Sequence, residues 1–305
     1  MQFTKKGLIY SLDKTSDNPA WMNNSTLTPT PFLLNDETIR IYCAMRDDKG
    51  VARIGYVDVD ANNPSKILKI SQKPVLDIGE PGCFDDNGVI LGDVVRDGDL
   101  IRMYYVGFQL PSKAKFLAYS GLAISHDGGE TFERFSKAPI MDRTDNALFI
   151  RAIHGVTKEK DYWNIWYSCG SKWMEIDGQT FPFYNVRHCK SKDGIHFEDN
   201  VGELCLDNQN DEYRIGRARF LKIKNEDFLF YTYGTTDKIN HAGFANFDKK
   251  NWQRQKKFFF EKSIDSWDSK DLGYPAPLIY KNKIYIFYTG NGCGVSGFGY
   301  AQTEI

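Results

Sequence analysis

An aromatic strand pattern recurs five times along the chain and constrains its fold more than any other feature. Each copy alternates in polarity, is rich in Tyr, Phe and Trp, and ends in a small or polar residue. The copies lie at 39–44, 101–107, 163–168, 228–232 and 284–290. Equivalent positions in them, 43, 105, 167, 231 and 288, are separated by 62, 62, 64 and 57 residues. Such regular spacing predicts a repeat architecture.

Further strand signals surround each copy. An apolar segment precedes it, a turn such as 96–99 lies between, and a third strand follows. With four strands in each of five repeats, we expect an all-β, five-bladed β-propeller, in which radial packing leaves only short strand edges exposed. The last repeat stops after its third strand. We therefore expect the N-terminal segment 6–11 to supply the outer strand of the last blade and close the ring, in a single domain spanning 1–305.

Composition and charge exclude several classes of protein. A chain of 305 residues with 41% hydrophobic residues can bury a large core. Its formal charge of -1 gives no long-range attraction to nucleic acid or to an anionic membrane. No apolar run approaches about 18 residues and no signal peptide is visible, so we predict no membrane span and a cytoplasmic location. The six cysteines form no Cys-x-x-Cys pair, and we predict neither a metal nor a cofactor. The oligomeric state stays open.

Two similar turns, at 125–132 and 191–197, follow third strands. Their glycines supply positive φ, their Asp side chains accept hydrogen bonds from nearby amides, and an aromatic residue closes each one. Although they contain Asp and His, we expect them to be structural hairpins.

The residues that precede the innermost strands should collect around one mouth of a propeller. They are 28–30, 80–87, 145–154, 211–219 and 268–274. Four of these five segments contain an acid, and Arg151, Arg214, Arg217 and Arg219 add cations. Carboxylates and guanidinium groups in an aromatic-lined funnel suit recognition of a polyhydroxylated ligand, or acid–base chemistry on one.

At these residues the chain resembles a known group of proteins. Segments 79–89, 125–132, 191–197 and 290–292, with Tyr274-Pro275, are similar to motifs of the five-bladed propellers in the glycoside hydrolase clan that contains families 43, 32, 68 and 62. The resemblance covers essentially the whole chain and is closest to uncharacterised members encoded with bacterial surface-polysaccharide enzymes. It implies a sugar-processing site at the channel mouth, with acids from several blades.

One departure from the clan affects the expected chemistry. The clan has Asp-Pro at the start of the first blade, whereas this chain has Thr28-Pro29. Asp13 or Asp17 could replace the missing carboxylate, although both lie in a polar segment that could equally be a solvated loop.

Glycoside cleavage needs one carboxylic acid and one carboxylate. From the resemblance, Glu212 is the predicted general acid and Asp86 the predicted base or nucleophile, with Asp85 or Glu80 as alternatives. The structural alternative for 85–88 is a capped turn.

Further residues are predicted to bind substrate. Arg151 would bind an anion or hold a carboxylate ionised, Tyr274 would stack on a sugar, and His154 would hold a water or ion, although a core histidine or an inter-blade salt bridge is a structural alternative. The full set is Glu80, Asn87, Asp145, Arg151, His154, Arg217, Asp268, Tyr274 and Asn291.

Three functional hypotheses follow. The first is a glycosidase or transglycosylase that uses an acid pair. The second is a sugar-modifying or sugar-transfer enzyme of surface-polysaccharide biosynthesis, acting on a nucleotide sugar or glycoside; the missing Asp and the arginines favour it. The third is a carbohydrate-binding propeller without catalysis. Two carboxylates facing one funnel about 5 to 9.5 Å apart would support glycosidic cleavage.

Overall fold

The protein is built almost entirely of β-strands. A computed structural model describes residues 2–12, 18–197 and 201–305, so Asp13 and Asp17 lie outside the described residues. The described strands form five antiparallel groups of four. Short parallel pairings, Ile150 opposite Ala118 and Tyr184 opposite Arg214, join three of these groups into one twelve-stranded sheet, and the other two groups are four-stranded sheets. No helix within these ranges is long and apolar enough to cross a bilayer.

The strands of the five groups follow one another along the chain, except for the first strand, β1 (Thr4–Tyr10), which belongs to group 5. Group 1 contains β2 (Ser25–Asn35), β3 (Thr38–Arg46), β4 (Ala52–Asp60) and β5 (Ile67–Ile70). Group 2 contains β6 (Val89–Asp97), β7 (Leu100–Gln109), β8 (Leu117–Ser125) and β9 (Glu133–Arg134). Group 3 contains β10 (Ile150–Lys158), β11 (Trp163–Ile176), β12 (Gln179–Ser191) and β13 (Glu203–Leu206). Group 4 contains β14 (Glu212–Ile223), β15 (Glu226–Thr235), β16 (Asn240–Phe247) and β17 (Trp252–Arg254). Group 5 contains β18 (Gly273–Tyr280), β19 (Lys283–Thr289) and β20 (Phe298–Glu304), and a short helical turn, α1 (Asn291–Gly294), connects its last two strands.

The five aromatic copies are the second strands of these groups, as the repeat predicts. They lie in β3, β7, β11, β15 and β19, and their side chains are buried on both faces. The N-terminal strand also lies where the sequence predicts, because β1 pairs antiparallel with β20, from Thr4 opposite Gln302 to Tyr10 opposite Phe298. Group 5 is therefore completed by the N-terminal strand of the chain.

Hydrophobic clusters lie between successive groups, and one of them joins group 5 to group 1. In that cluster, Ile39 and Ile41 of β3 pack with Tyr285 and Phe287 of β19. Four more of these clusters join groups 1 and 2, 2 and 3, 3 and 4, and 4 and 5. Each group thus packs both of its faces against neighbouring groups. This packing buries the apolar side chains on both sides of its strands.

The two Asp-Gly turns join neighbouring groups. Tyr42 of group 1 donates a hydrogen bond to the carbonyl oxygen of Gly129 over 3.0 Å, and Tyr104 of group 2 donates one to that of Gly194 over 3.1 Å. Within the first turn, burial opposes ionisation of Asp127, but hydrogen bonds from Thr131 and neighbouring groups lower its pKa to about 2. The turns therefore have the structural role that their sequences predict.

Candidate functional site

The strand that precedes each aromatic copy, namely β2, β6, β10, β14 or β18, contains a β-bulge at an equivalent position. Strand register shifts between Leu27 and Thr30, Leu91 and Asp93, Ile153 and Gly155, Gly216 and Arg219, and Gly273 and Ala276. The residues at the bulges include Thr28, Gly92, His154, Arg217 and Tyr274. Their positions, 28, 92, 154, 217 and 274, repeat at nearly the interval of the aromatic copies. Bulges re-aim side chains and are frequent near functional sites.

Three of these bulge residues have a left-handed backbone although none is glycine. The φ angles are 55° at Thr28, 57° at Arg217 and 55° at Tyr274. Such angles are uncommon for residues with a side chain and are an outlier for β-branched Thr. Strain of this kind persists where the surrounding structure imposes it and clusters at binding sites. The group 2 bulge contains Gly92 because a Cβ there would collide with the carbonyl oxygens of Ile153 and Tyr104.

The other four bulge residues, Thr28, His154, Arg217 and Tyr274, line one cavity of about 300 Å³, which we call the inner cavity. Its walls combine aromatic and aliphatic side chains, including Phe108, Phe116 and Phe181, with polar ones. The further polar lining residues are Arg46, Lys115, Ser168, Tyr184, Arg214 and Cys293. Four of the lining side chains are Arg or Lys, and no lining residue is Asp or Glu. The inner cavity therefore favours an anionic ligand with an apolar or sugar-like face.

Arg217 is the most deeply buried of these cations. It is 7% exposed, donates hydrogen bonds to Nδ1 of His154 over 3.2 Å and to the carbonyl oxygen of Leu91, and forms no ion pair with any described carboxylate. Burial, and then the Arg219 cation, lowers the pKa of Arg217 to about 9. The nearby carboxylate of Asp93 is engaged by Arg219 over 2.9 Å. Arg217 thus contributes positive charge to the cavity wall without a protein anion of its own.

The hydrogen bond with Arg217 fixes the state of His154. A guanidinium has only donors, so Nδ1 of His154 is the acceptor and Nε2 carries the hydrogen. Burial, followed by the charges of Arg217 and Arg219, lowers the pKa of His154 well below its usual value. His154 is consequently a neutral imidazole.

Several polar atoms on the cavity wall have no partner in the protein. They are Oγ1 of Thr28, Oγ of Ser168 and Nε of Arg217, all buried. Buried polar atoms in native proteins are nearly always hydrogen-bonded, and each one left unpaired costs about 1–3 kcal/mol.

The predicted general acid, Glu212, and Asp85, an alternative to Asp86 as the base, are both paired with arginines. Glu212 forms a two-pronged ion pair with Arg254, with oxygen–nitrogen distances of 2.6 and 2.9 Å, and accepts a third hydrogen bond from the backbone of Gln209. Asp85 is fully buried and pairs with Arg134 over 2.8 Å. Neither carboxylate lines the inner cavity.

The stretch around Asp86 is a tight turn. Asp86 accepts hydrogen bonds from the backbone of Gly82 over 2.9 Å and from the side chain of Asn87 over 3.0 Å. Glu80 pairs with Lys137 at the surface, where both side chains are 73% exposed. These contacts match the capped-turn alternative, and none of the three residues lines the inner cavity.

Four other predicted binding residues also lie outside the cavity lining. Asp145 is exposed, and Arg151 donates to the carbonyl oxygen of Asp142 over 2.9 Å. Asp268 is fully buried and pairs with Lys5 of β1 over 2.5 Å. The Oδ1 atom of Asn291 accepts hydrogen bonds from the backbone of the loop before β18. Of the predicted substrate-binding residues, His154, Arg217 and Tyr274 are the ones that the structure brings together.

The difference has a simple geometric cause. The predicted segments 28–30, 145–154 and 211–219 contain Thr28, His154 and Arg217, but these three residues lie within strands and not before them. The long hairpin of β11 and β12 adds Phe181 and Tyr184 from further along the chain, and Lys115 comes from a loop. The sequence pattern did not predict how long the two strands of this hairpin are.

The comparisons with known proteins agree with the fold. No family model matches the chain. The chain is 28% identical over 305 residues to Uncharacterized protein Rv1502 of Mycobacterium tuberculosis (strain ATCC 25618 / H37Rv), and the match covers 100% of both chains. A solved structure described with the GH130 family of mannoside phosphorylases, which contains glycoside hydrolases that target β-1,2-mannosidic linkages in Candida mannan, superposes with a TM-score of 0.70 at 16% identity, covering 99% of this chain and 93% of the other. The GH32 β-fructofuranosidase BmSUC1 of Bombyx mori superposes with a TM-score of 0.61 at 16% identity, covering 93% and 61%. The chain therefore has the propeller fold of glycoside hydrolase-like proteins.

Proposed function

We propose that this protein is a carbohydrate-active enzyme that transfers a glycosyl group between a phosphate and a sugar hydroxyl, using the inner cavity. The substrate class is a glycosyl phosphate, either a sugar 1-phosphate or a nucleotide sugar. The observation that carries this proposal is the buried guanidinium of Arg217, which faces the cavity and has no carboxylate partner among the described residues.

The charge of the cavity supports an anionic substrate. A buried cation is costly unless an anion accompanies it. Arg214 is held by the neutral amide oxygen of Asn240 over 2.6 Å, so its charge is also not neutralised by that contact. Arg46 and Lys115 add two more positive charges. Guanidinium groups bind phosphate oxygens with directed, charge-assisted hydrogen bonds, which makes phosphate the best-matched anion.

The remaining lining fits a sugar. The unpartnered hydroxyls of Thr28 and Ser168 can exchange hydrogen bonds with sugar hydroxyls. Tyr274, Phe108 and Phe116 offer apolar surface of the kind that packs on the faces of sugar rings. The structural likeness to glycoside hydrolase-like propellers adds support, since a neighbour of that fold is described with mannoside phosphorylases.

Transfer from phosphate is also consistent with the absence of Asp and Glu from the cavity lining. Acid-pair hydrolysis needs a carboxylic acid to protonate the leaving oxygen, whereas phosphate leaves as a stable anion. Glu212 and Asp85 are engaged by arginines outside the cavity, and catalytic roles for them and for Asp86 stay predictions. Thr28, at the position where the resemblance implies Asp, lines the cavity as a hydroxyl.

We propose further that the five strand groups are the blades of one closed, five-bladed propeller formed by 1–305. The packing of group 5 on group 1 and the equivalent bulges in all five innermost strands support this arrangement. The bulges would then form a ring around the propeller axis, with the inner cavity above it.

The test compares phosphorylated and plain sugars. We would measure calorimetric affinity and the thermal shift with glucose 1-phosphate, mannose 1-phosphate, UDP-glucose and GDP-mannose, and with glucose and mannose alone. At least one phosphorylated sugar should bind, its plain sugar should bind at least tenfold more weakly, and Arg217→Met should reduce the affinity by at least tenfold. Glu80→Gln, a change at an exposed ion pair, is the control and should leave affinity unchanged. Equal binding of plain and phosphorylated sugars, or full affinity in Arg217→Met, would overturn the proposal.

A further inference from the structure

We propose that Cys293 is the nucleophile of the inner cavity and that it accepts the glycosyl group from the glycosyl phosphate. This inference rests on the proposed function and names the residue that would carry its chemistry. Among the residues that line the cavity, Cys293 is the only thiol, and no carboxylate is present there to act as a nucleophile.

The backbone holds Cys293 in an unusual conformation. Its φ and ψ are 55° and 45°, and it lies between Gly292 at φ 67° and Gly294 at φ 88°. A side chain at Gly294 would collide with the carbonyl oxygen of Thr26, so this left-handed run packs directly against β2 of group 1. Cys293 is thus positioned by contact with the neighbouring sheet, and a left-handed residue with a side chain is often found where a site requires it.

A fixed amide donor points at the sulfur. Arg214 donates to Oδ1 of Asn240 over 2.6 Å, which identifies that atom as the oxygen and leaves Nδ2 as the donor. Nδ2 donates to Sγ of Cys293 over 3.0 Å. The cationic Arg214, held by the same Asn240 side chain, lies in the same cluster.

Independent features of the cavity point to a ligand beside this sulfur. Nε of Arg217, Oγ1 of Thr28 and Oγ of Ser168 line the same cavity, are more than nine-tenths buried and have no partner. The guanidinium of Arg217 would hold the phosphate of a bound glycosyl phosphate while Cys293 approaches the anomeric carbon.

The other cysteines lack this setting. Cys43, Cys169 and Cys189 are buried, and burial raises the pKa of Cys205 to about 12. Cys83 is partly buried in the turn near Glu80, away from the cavity lining, and serves as an internal reference for an ordinary thiol.

The reaction balances without another reactant. The thiolate of Cys293 forms a bond to the anomeric carbon of the glycosyl phosphate monoanion while the bond from that carbon to oxygen breaks. Hydrogen phosphate leaves with the bonding electrons and is held by the arginines. The hydroxyl of an acceptor sugar then forms a bond to the same carbon, the carbon–sulfur bond breaks to restore the thiolate, and the hydroxyl proton passes to hydrogen phosphate. Two displacements retain the anomeric configuration.

Alkylation tests the reactivity of the thiol in the intact protein. Iodoacetate and iodoacetamide would be compared by peptide mass spectrometry at Cys293 and at Cys83 at pH 7. We expect Cys293 to react about tenfold faster than Cys83, to prefer the anionic iodoacetate, and to be protected by inorganic phosphate. Asn240→Ala should slow alkylation at Cys293 and leave the rate at Cys83 unchanged. Equal rates at both cysteines, or no effect of phosphate, would overturn the inference.

Substitution tests the catalytic role and separates it from the proposed function. Cys293→Ser should keep the affinity for the phosphorylated sugar that binds the wild-type protein, and should lose at least 100-fold in transfer rate and all covalent glycosyl adduct by intact mass. The wild-type product should retain configuration by NMR. Transfer by Cys293→Ser at the wild-type rate, or an inverted product, would overturn the role of Cys293. Neither result would contradict the proposal that the inner cavity binds a phosphorylated sugar. Loss of phosphate-sugar binding in Arg217→Met alone tests the proposed function and does not depend on Cys293.

Discussion

Nη1 of Arg217 lies 3.2 Å from Nδ1 of His154, so a buried imidazole accepts a hydrogen bond from a buried cation. Burial and the two nearby arginines lower the pKa of His154 well below 6.5. The imidazole therefore stays neutral in the folded protein under conditions in which a histidine of the unfolded chain gains a proton, below about pH 6.5. The free energy of unfolding should therefore depend on pH through His154, which contacts the cationic Arg217 of the inner cavity.

The first prediction concerns that pH dependence. Since the unfolded chain binds more protons than the folded one as the pH falls below about 6.5, the free energy of unfolding should fall between pH 7 and pH 5, by up to about 1.4 kcal/mol per pH unit for each such histidine. His154→Gln should reduce this slope, as measured by urea denaturation at pH 7, 6 and 5. His188, whose pKa burial lowers to about 4, contributes in the same direction and remains in the variant. Identical slopes for both proteins would show that His154 is protonated when folded.

The second prediction concerns Glu212. Its side chain is 8% exposed and that of its partner Arg254 is 13% exposed, so removing the carboxylate leaves a buried cation unpaired. We expect Glu212→Gln to lower the free energy of unfolding by about 2–4 kcal/mol and to leave the affinity for a phosphorylated sugar unchanged. Glu80→Gln is the matched control, because the Glu80–Lys137 pair is exposed and should change stability by less than about 0.5 kcal/mol. A stable Glu212→Gln variant without activity would instead support the general-acid prediction.

The fold could be predicted from the sequence because its signal is local and repeated. Tyr105, Tyr167, Tyr231 and Tyr288 each lie in a strand whose alternating pattern predicts it without knowledge of distant contacts. Lys6 to Ser11 could be placed beside the last repeat because that repeat lacks one strand. Both inferences use the periodicity of the sequence and the number of strands in each repeat, which can be found without knowledge of long-range contacts.

The site could be predicted only in part because it depends on bulges. A left-handed backbone is signalled in sequence by glycine or Asn, but here it occurs at Thr28, Arg217 and Tyr274. The predicted segments did contain Thr28, His154, Arg217 and Tyr274, but the sequence did not show that the acids of those segments lie outside the cavity lining. The sequence did not identify Cys293 either. Its glycine-rich surroundings are typical of a loop, and its amide donor, Asn240, lies 53 residues away in the chain.

The third prediction concerns the contacts between neighbouring groups. Tyr42 and Tyr104 occupy equivalent positions and each donates a buried hydrogen bond to a carbonyl oxygen in the Asp-Gly turn of the next group. Tyr42→Phe and Tyr104→Phe should each lower the free energy of unfolding by about 1–2 kcal/mol, because a buried carbonyl oxygen loses a donor. Tyr162→Phe is the control, since no hydrogen bond of its hydroxyl is seen among the described residues. Thermal and urea denaturation of the three variants would measure this, and unequal losses at Tyr42 and Tyr104 would contradict their equivalence.

The last prediction concerns the strand that completes group 5. Lys5 of β1 pairs with Asp268, whose side chain is fully buried and also accepts a hydrogen bond from Tyr288 over 3.0 Å. Lys5→Met should lower the free energy of unfolding by about 2–4 kcal/mol, because a buried carboxylate loses its cation. Lys6→Met, in the same strand but at an exposed position, is the control and should have an effect below about 0.5 kcal/mol. Adding Asp268→Asn to Lys5→Met should recover part of the loss, since no unpaired charge then remains. Equal stability of the Lys5 and Lys6 variants in urea denaturation would show that this ion pair does not fasten the N-terminal strand.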